Sequence, residues 1–214
     1  MTETNFQRAR TPEEQQIRRE ALLAAAAALF DEGGPEGAGL NAIAARAGFT
    51  KSNVYRYFES REQVLIGLLH EAIDVFLPRI EQDIAACSTG DRRAIAAAGT
   101  MAFVANPRLP RLLAILASTL EQNVSVETIA AIKRRLVEMV RRIGVAINHK
   151  LPDSSVEDCV WTAATVGTFV AGMWPNAHPS TAAAEVLERP EFAALRPSVD
   201  RDLERVMLAL LNAI

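Results

Sequence analysis

Between Leu40 and Phe58 the chain sets two short apolar-periodic segments on either side of a glycine, an arrangement that few folds accommodate. Leu40, Ile43, Ala44 and Ala47 recur at i, i+3, i+4 and i+7, which is one face of a helix of about two turns. Gly48 follows the last of them and can enter the left-handed region without a Cβ clash, the usual way a helix stops. Thr50 stands as N-cap for a second helix, its hydroxyl able to accept a hydrogen bond from the N–H of Ser52 or Asn53. A helix, a short turn containing Gly and a second helix make the helix-turn-helix pattern.

The second helix decides what the pattern is for. From Lys51 to Tyr57 the outward candidates are Lys51, Ser52, Asn53, Tyr55, Arg56 and Tyr57, all hydrogen-bond donors, while Val54 and Phe58 sit four apart and face inward. The first turn of such a helix can reach base edges in a major groove, and its Lys, Arg and Tyr groups can reach phosphate oxygens. Between Leu40 and Arg61 the cations Arg46, Lys51, Arg56 and Arg61 are opposed by Glu59 alone. A merely solvated charged helix would not need the amphipathic partner or the Gly turn; the compound signal points to nucleic acid.

Over about Ala21 to Leu69 the chain resembles the tetracycline-repressor (TetR) family. The matching residues are Leu29-Phe30, Gly34, the run Leu40, Ile43-Ala44, Ala47-Gly48, Thr50-Lys51, and then Tyr55, Tyr57-Phe58, Ser60-Arg61-Glu62 and Leu65. The resemblance implies an all-α protein with a three-helix helix-turn-helix DNA-binding domain over residues 1–60 and an effector-binding and dimerisation helical bundle over 61–214. It further implies a homodimer on an inverted-repeat operator, most simply a repressor released by a small-molecule effector. One departure stands out: the family commonly carries Ser or Thr where this chain has Ala38 and Gly39. Phosphate contact there would fall to backbone N–H groups or to Asn41. The DNA-binding set is thus Asn41, Arg46, Thr50, Lys51, Ser52, Asn53, Tyr55, Arg56, Tyr57 and Arg61.

Composition agrees with an ordinary globular chain. With 214 residues, half of them hydrophobic and 6% aromatic, there is enough apolar surface for one large or two modest domains. The formal charge of −3 does not mark a nucleic-acid binder, so the basic character is local. Cys87 and Cys159 are far apart, form no metal or redox motif and read as small core residues in a reducing interior, with a gated thiol sensor as the sharper alternative. Residues 1–11 hold no apolar run. The Ala21–Phe30 block is too short to span a membrane and runs into Asp31 and Glu32. The expected location is cytoplasmic.

A first helix is expected from about Pro12 to Glu32, ended by Gly33-Gly34-Pro35, with Leu22, Ala25, Ala26, Leu29 and Phe30 packed against Ile43, Val54 and Phe58. Arg8, Arg10, Arg18 and Arg19 could touch phosphate or remain solvated. Ser60-Arg61-Glu62-Gln63 reads as a capping box that opens a fourth helix, with Pro78 kinking or ending its first part. Further helices are expected over about 92–105, 108–122, 125–149, 153–173 and 181–187 and from 199 onward, with a loop over Trp174–Pro179. The small-residue helix near 160 and the last helix read as a four-helix dimer interface through Val160, Ala163, Ala164, Gly167, Ala171, Leu203, Val206, Met207 and Leu210; intramolecular core is the other reading.

By resemblance, an effector lies between the helices that follow the fourth. The candidates are Met101, Phe103, Leu112, Ile115, Leu116, Thr119, Leu120, Asn123, Met139, Trp161, Thr165, Phe169 and Trp174, with Glu121-Gln122-Asn123 as polar anchor and a lipophilic ligand favoured by the scarcity of charge. The same residues at helical spacing would also serve as plain core. His70, His149 and His178 lack metal-ligand spacing, and no nucleophile motif or phosphate loop occurs, so no catalytic residue, metal or cofactor is expected. The competing functions are a ligand-sequestering bundle without DNA-dependent regulation, and an activator.

Overall fold

The computed structural model describes residues 11–214, so the contacts expected of Arg8 and Arg10 lie outside the described residues. All regular structure among the described residues is helical. The chain divides into a first unit ending at Leu68 and a second beginning at Leu69. The division falls eight residues after the expected 60/61 boundary, because the opening turns of the fourth helix bury Val64, Leu65 and Leu68.

In the first unit, α1 (Pro12–Gly37) starts on a capping box in which Thr11 Oγ1 accepts from the Glu14 N–H at 3.2 Å and Glu14 returns the bond to the Thr11 N–H. Its regular part breaks at Gly34, where φ of 66° and ψ of −160° admit little but glycine, and a last turn carries on to Gly37. Then follow α2 (Leu40–Ala47) and α3 (Lys51–Val54). Leu22, Ala26 and Phe30 of α1, Ile43 and Ala44 of α2, and Val54 and Phe58 are buried, as expected, whereas Leu29 is only half-buried. Leu23 presses a methyl onto Gly67 of α4 (Arg61–Ala86), a contact that any side chain at 67 would obstruct. The Ser60 hydroxyl accepts from the Gln63 N–H at 3.2 Å, but the Gln63 amide reaches the Glu59 N–H instead of closing the box on Ser60.

The second unit takes the rest of α4, which passes through Pro78 without ending, together with α5 (Arg92–Ala105), α6 (Arg108–Ala114), α7 (Val126–Lys150), α8 (Val156–Ala177), α9 (Thr181–Leu187) and α10 (Val199–Asn212). The single helix expected over 108–122 is two pieces, α6 and a π-helical turn at Leu116–Leu120. The expected loop at Trp174 is helix: α8 continues past Pro175, and Asn176 Nδ2 donates to the Gly172 carbonyl at 2.8 Å. A 3-10 turn covers Pro190–Leu195.

Glycines set the close crossings. A Cβ on Gly144 of α7 would strike the Val160 backbone of α8 at 2.7 Å, and one on Gly99 of α5 would strike Met207 Sδ of α10 at 2.8 Å. Two ion pairs join α4 to α7, Asp74 with Arg135 and Glu81 with Arg142, the latter bidentate. At the far end, Arg92 Nε donates to the Leu211 carbonyl at 2.8 Å and its Nη2 to the Ile214 carbonyl at 3.1 Å, placing a cation where the dipole of α10 is negative. Arg92→Ala removes both bonds and should lower unfolding free energy by about 1–2 kcal/mol in a urea titration, with Arg93→Ala, on an exposed residue, near zero as the control.

Candidate nucleic-acid interface and ligand cavity

The turn between α2 and α3 is built on Gly48, whose φ of 71° and ψ of 25° are left-handed. The Phe49 N–H reaches the Ala44 carbonyl at 2.8 Å and the Gly48 N–H the Ala45 carbonyl at 3.3 Å, the paired bonds of a Schellman motif. Thr50 has the extended backbone of an N-cap, yet its hydroxyl makes no capping bond, contrary to expectation; it stays exposed. Regular helix lasts only from Lys51 to Val54. Beyond it the chain tightens into i to i+3 bonds, from the Arg56 N–H to Asn53 O at 3.2 Å and from the Tyr57 N–H to Val54 O at 2.9 Å, so the helix expected from Lys51 to Tyr57 is regular only in its first part. Burial of Val54 and Phe58 on one side fixes the outward side.

That outward side carries what the sequence proposed for it. Lys51, Ser52, Tyr55 and Arg56 are exposed, Tyr55 at 48%, and Asn53 and Tyr57 are half-buried. Lys51 Nζ lies 5.8 Å from the Tyr55 ring centroid, and Arg56 has no ion pair among the described residues. The other two cations are engaged: Arg46 Nη2 meets Glu32 Oε2 at 2.5 Å, and Arg61 Nη1 lies 3.7 Å from Glu36 Oε2. These are exposed pairs of small net energy, able to open toward a phosphate. Gly39 caps α2 without a side-chain bond, as the missing hydroxyl implies, and Asn41 is exposed nearby. Arg19, read from sequence as a possible arm, stacks its guanidinium 5.3 Å from the Phe58 ring centroid.

The second unit holds a partly open cavity of about 60 Å³ among α4, α5, α7, α8 and α10. Of the proposed effector residues, Phe103 and Met139 line it and the others do not. Met101 and Trp161 are 60% and 55% exposed, Asn123 is exposed at φ 55°, and Leu112 and Leu120 are closed into core. Ile115, Leu116, Thr119 and Thr165 are half-buried. Phe169 lines a shallow outer groove, and Trp174 is buried against the His178 ring, 4.7 Å between centroids. Of the proposed anchor, Glu121 forms an ion pair with Lys133 while its buried Oε1 makes no hydrogen bond, and the Gln122 amide donates to the Ala117 carbonyl.

The cavity wall instead includes Phe76, Ile80 and Ile84 of α4, which the sequence offered only as a packing stripe, and Ala163, Gly167 and Met207, which it assigned to a dimer interface. Leu203 and Met207 are buried in their own chain and offer no surface to a partner, whereas Val160, packed on Gly144, is half-buried. Ala164 is exposed; Ala171, Val206 and Leu210 are half-buried. Thr162 is the wall's one hydroxyl. It is 2% exposed and its Oγ1 finds no hydrogen-bond partner, a state worth about 1–3 kcal/mol of penalty. Sequence reading missed it because a lone Thr on an apolar helix carries no distinguishing pattern.

Neither cysteine has the features of a sensor. Burial, then the nearby Asp91, raises the Cys87 thiol above its ordinary value, and burial, then Asp158, does the same for Cys159, so both stay protonated at neutral pH.

A helix-turn-helix unit with a donor-covered second helix, followed by a separate helical unit, defines the class of helix-turn-helix DNA-binding regulators that carry a second, all-helical domain. Residues 22–68 match the model of bacterial regulatory proteins of the tetR family, and residues 70–213 match that of the tetracyclin repressor-like C-terminal domain. The chain belongs to the TetR family of transcriptional regulators, proteins that act by binding DNA and not as enzymes. Among solved structures it is similar to a transcriptional regulator from Rhodococcus sp. RHA1 (21% identity, 92% of this chain and 95% of that one, TM-score 0.58). It is also similar to a TetR/AcrR-family regulator from Thermobifida fusca YX-ER1 (25%, 92% and 97%, 0.55) and to the regulator FadR from Bacillus subtilis, solved with stearoyl-CoA (18%, 90% and 96%, 0.51). No curated protein matches the chain in sequence.

The two glycines of α2 should behave oppositely. Gly48→Ala forces a Cβ into a left-handed residue and should cost about 1 kcal/mol, whereas Gly39→Ser, at φ −74° with open space around the new atom, should gain a few tenths by supplying the missing cap. Denaturant unfolding of the two variants reads both signs.

Proposed function

We propose that this regulator is a homodimeric repressor, working in the cytoplasm, that binds an inverted-repeat operator and is released by a small, uncharged effector held in the second-unit cavity. The observation that carries the DNA half is the exposed row Lys51, Ser52, Tyr55 and Arg56 on a helix whose other side is locked into core by Val54 and Phe58. Lys51 and Arg56 are the strongest phosphate candidates, since neither holds an anion. Ser52, Asn53, Tyr55 and Tyr57 are assigned to base edges and groove walls, Thr50 and Asn41 to phosphate through hydroxyl and amide, and Arg46 and Arg61 to phosphate after leaving their carboxylates.

In a two-fold dimer the two reading segments would lie about one turn of DNA apart, roughly 34–36 Å, or somewhat more. An effector seated against Phe76, Ile80 and Ile84 acts on α4, the helix whose first residue, Arg61, follows the reading segment. By linkage, effector and operator must weaken each other equally, typically by ~1–3 kcal/mol. A lipophilic effector is favoured by the hydrocarbon wall; the stearoyl-CoA of the Bacillus subtilis neighbour belongs to that protein and is only in keeping with such a class. Activation instead of repression differs only in where the operator lies.

Binding to a selected palindromic duplex should fall steeply with salt, and Lys51→Ala and Arg56→Ala should each reduce the slope of log K against log salt by about 1. The Lys51→Ala, Tyr55→Ala double variant should lose sequence selectivity; unchanged selectivity would remove the assignment.

For the dimer, the surface left open is the outer stripe of α8, Trp161, Ala164, Thr168 and Gly172, with Ala171, Val206 and Leu210 at its margins. Ala164→Glu should yield a folded monomer in sedimentation velocity, while a variant that remains dimeric places the interface elsewhere.

A further inference from the structure

Among the described residues, the wall of the second-unit cavity is hydrocarbon and thioether except at Thr162, the one lining side chain that carries an oxygen or nitrogen. No carboxylate, guanidinium, ammonium or imidazole of those residues lines it. An ionised group entering this space would shed its hydration against hydrocarbon with no counter-charge to meet it, so charged ligands are excluded from the enclosed part. A wholly apolar ligand would leave the Thr162 Oγ1 as it stands, buried and unpartnered. A neutral ligand with one hydroxyl or carbonyl would give that oxygen its missing bond.

Size narrows the class further. The cavity, about 60 Å³, is well below the roughly 150 Å³ in which an engineered cavity holds benzene, so its occupant is compact and the wall must give a little to admit a ring. Two flexible thioethers, Met139 and Met207, are in that wall. Met207 Sδ lies 2.8 Å from where a Cβ on Gly99 would stand, so the glycine is what admits the thioether to this wall.

We infer that the cavity selects compact neutral molecules bearing a single hydroxyl or carbonyl group, with the Thr162 Oγ1 as the specificity-determining hydrogen-bond partner. The inference rests on the reading of this cavity as the effector site. It names the chemistry of the ligand and the residue that reads it.

Phenol and toluene, matched in size, and acetophenone and benzoate, likewise matched, are the probes, titrated calorimetrically into the full chain as wild type, Thr162→Val and Thr162→Ser. Phenol should bind the wild type more tightly than toluene, although toluene is the more apolar, and acetophenone at least tenfold more tightly than benzoate. Thr162→Val should weaken phenol about tenfold and leave toluene unchanged, and Thr162→Ser should keep phenol. Benzoate binding as well as acetophenone, no binding of phenol, or an equal loss of phenol and toluene in Thr162→Val would each overturn the inference. The wild-type ranking decides the matter even if the valine variant does not fold. A palindromic duplex selected by the protein separates the two readings. Phenol binding that follows the Thr162 pattern but leaves duplex affinity unchanged refutes the effector role alone. Release by a compound indifferent to Thr162→Val refutes the inference alone.

Discussion

The left-handed backbone at Gly48 is the constraint on which the DNA-facing surface depends. It closes α2 with two backbone bonds and turns the chain within three residues, so that Val54 and Phe58 enter the same core as Ile43 and Phe30. Once those side chains are committed, the direction of Lys51, Ser52, Tyr55 and Arg56 is not a free choice. A surface of exposed donors is thereby held rigid by apolar contacts that never meet the ligand, which is how a four-residue helix can present a defined face at all.

The second unit is organised by close approach. Where α7 meets α8 and α5 meets α10, glycine removes the Cβ that would hold the helices apart. Packing of that kind leaves little void, yet a cavity persists between α4 and the α7–α8 pair, bordered by one unpaired hydroxyl. A core optimised for stability alone would fill that space and replace Thr162 with valine.

Helix placement and the outward row of donors after Gly48 were legible in the sequence because they follow local rules of apolar spacing and a glycine stop. The ends of α5, α9 and α10 fall within a residue or two of expectation for the same reason. What local rules could not supply was partnership. The spacing of Val160, Leu203 and Met207 suits the interface expected of them as well as a core, and only tertiary packing shows that their own chain has claimed Leu203 and Met207. Trp161 and Trp174 are alike in sequence terms, yet one is open to solvent and the other enclosed. The Trp174 segment was misread as a loop because Pro175 looks like a stop, whereas a proline near the end of a helix forfeits only one bond.

The two ion pairs between α4 and α7 have a mechanical meaning. Asp74 and Glu81 are seven residues apart, as are Arg135 and Arg142, so the clasps lie about 10 Å apart along each axis and the two helices run in the same direction. A slip of three or four residues would bring Arg142 opposite Leu77, Pro78, Ile84 or Ala85, none of them acidic, and although one such slip would set Arg135 against Glu71, only the observed register closes both pairs. Exposed pairs of this sort add little to stability, but together they distinguish one register from its neighbours. The pair of helices therefore works like a rack pinned at two teeth: free to pivot, resistant to sliding, and freer to slide as ionic strength rises.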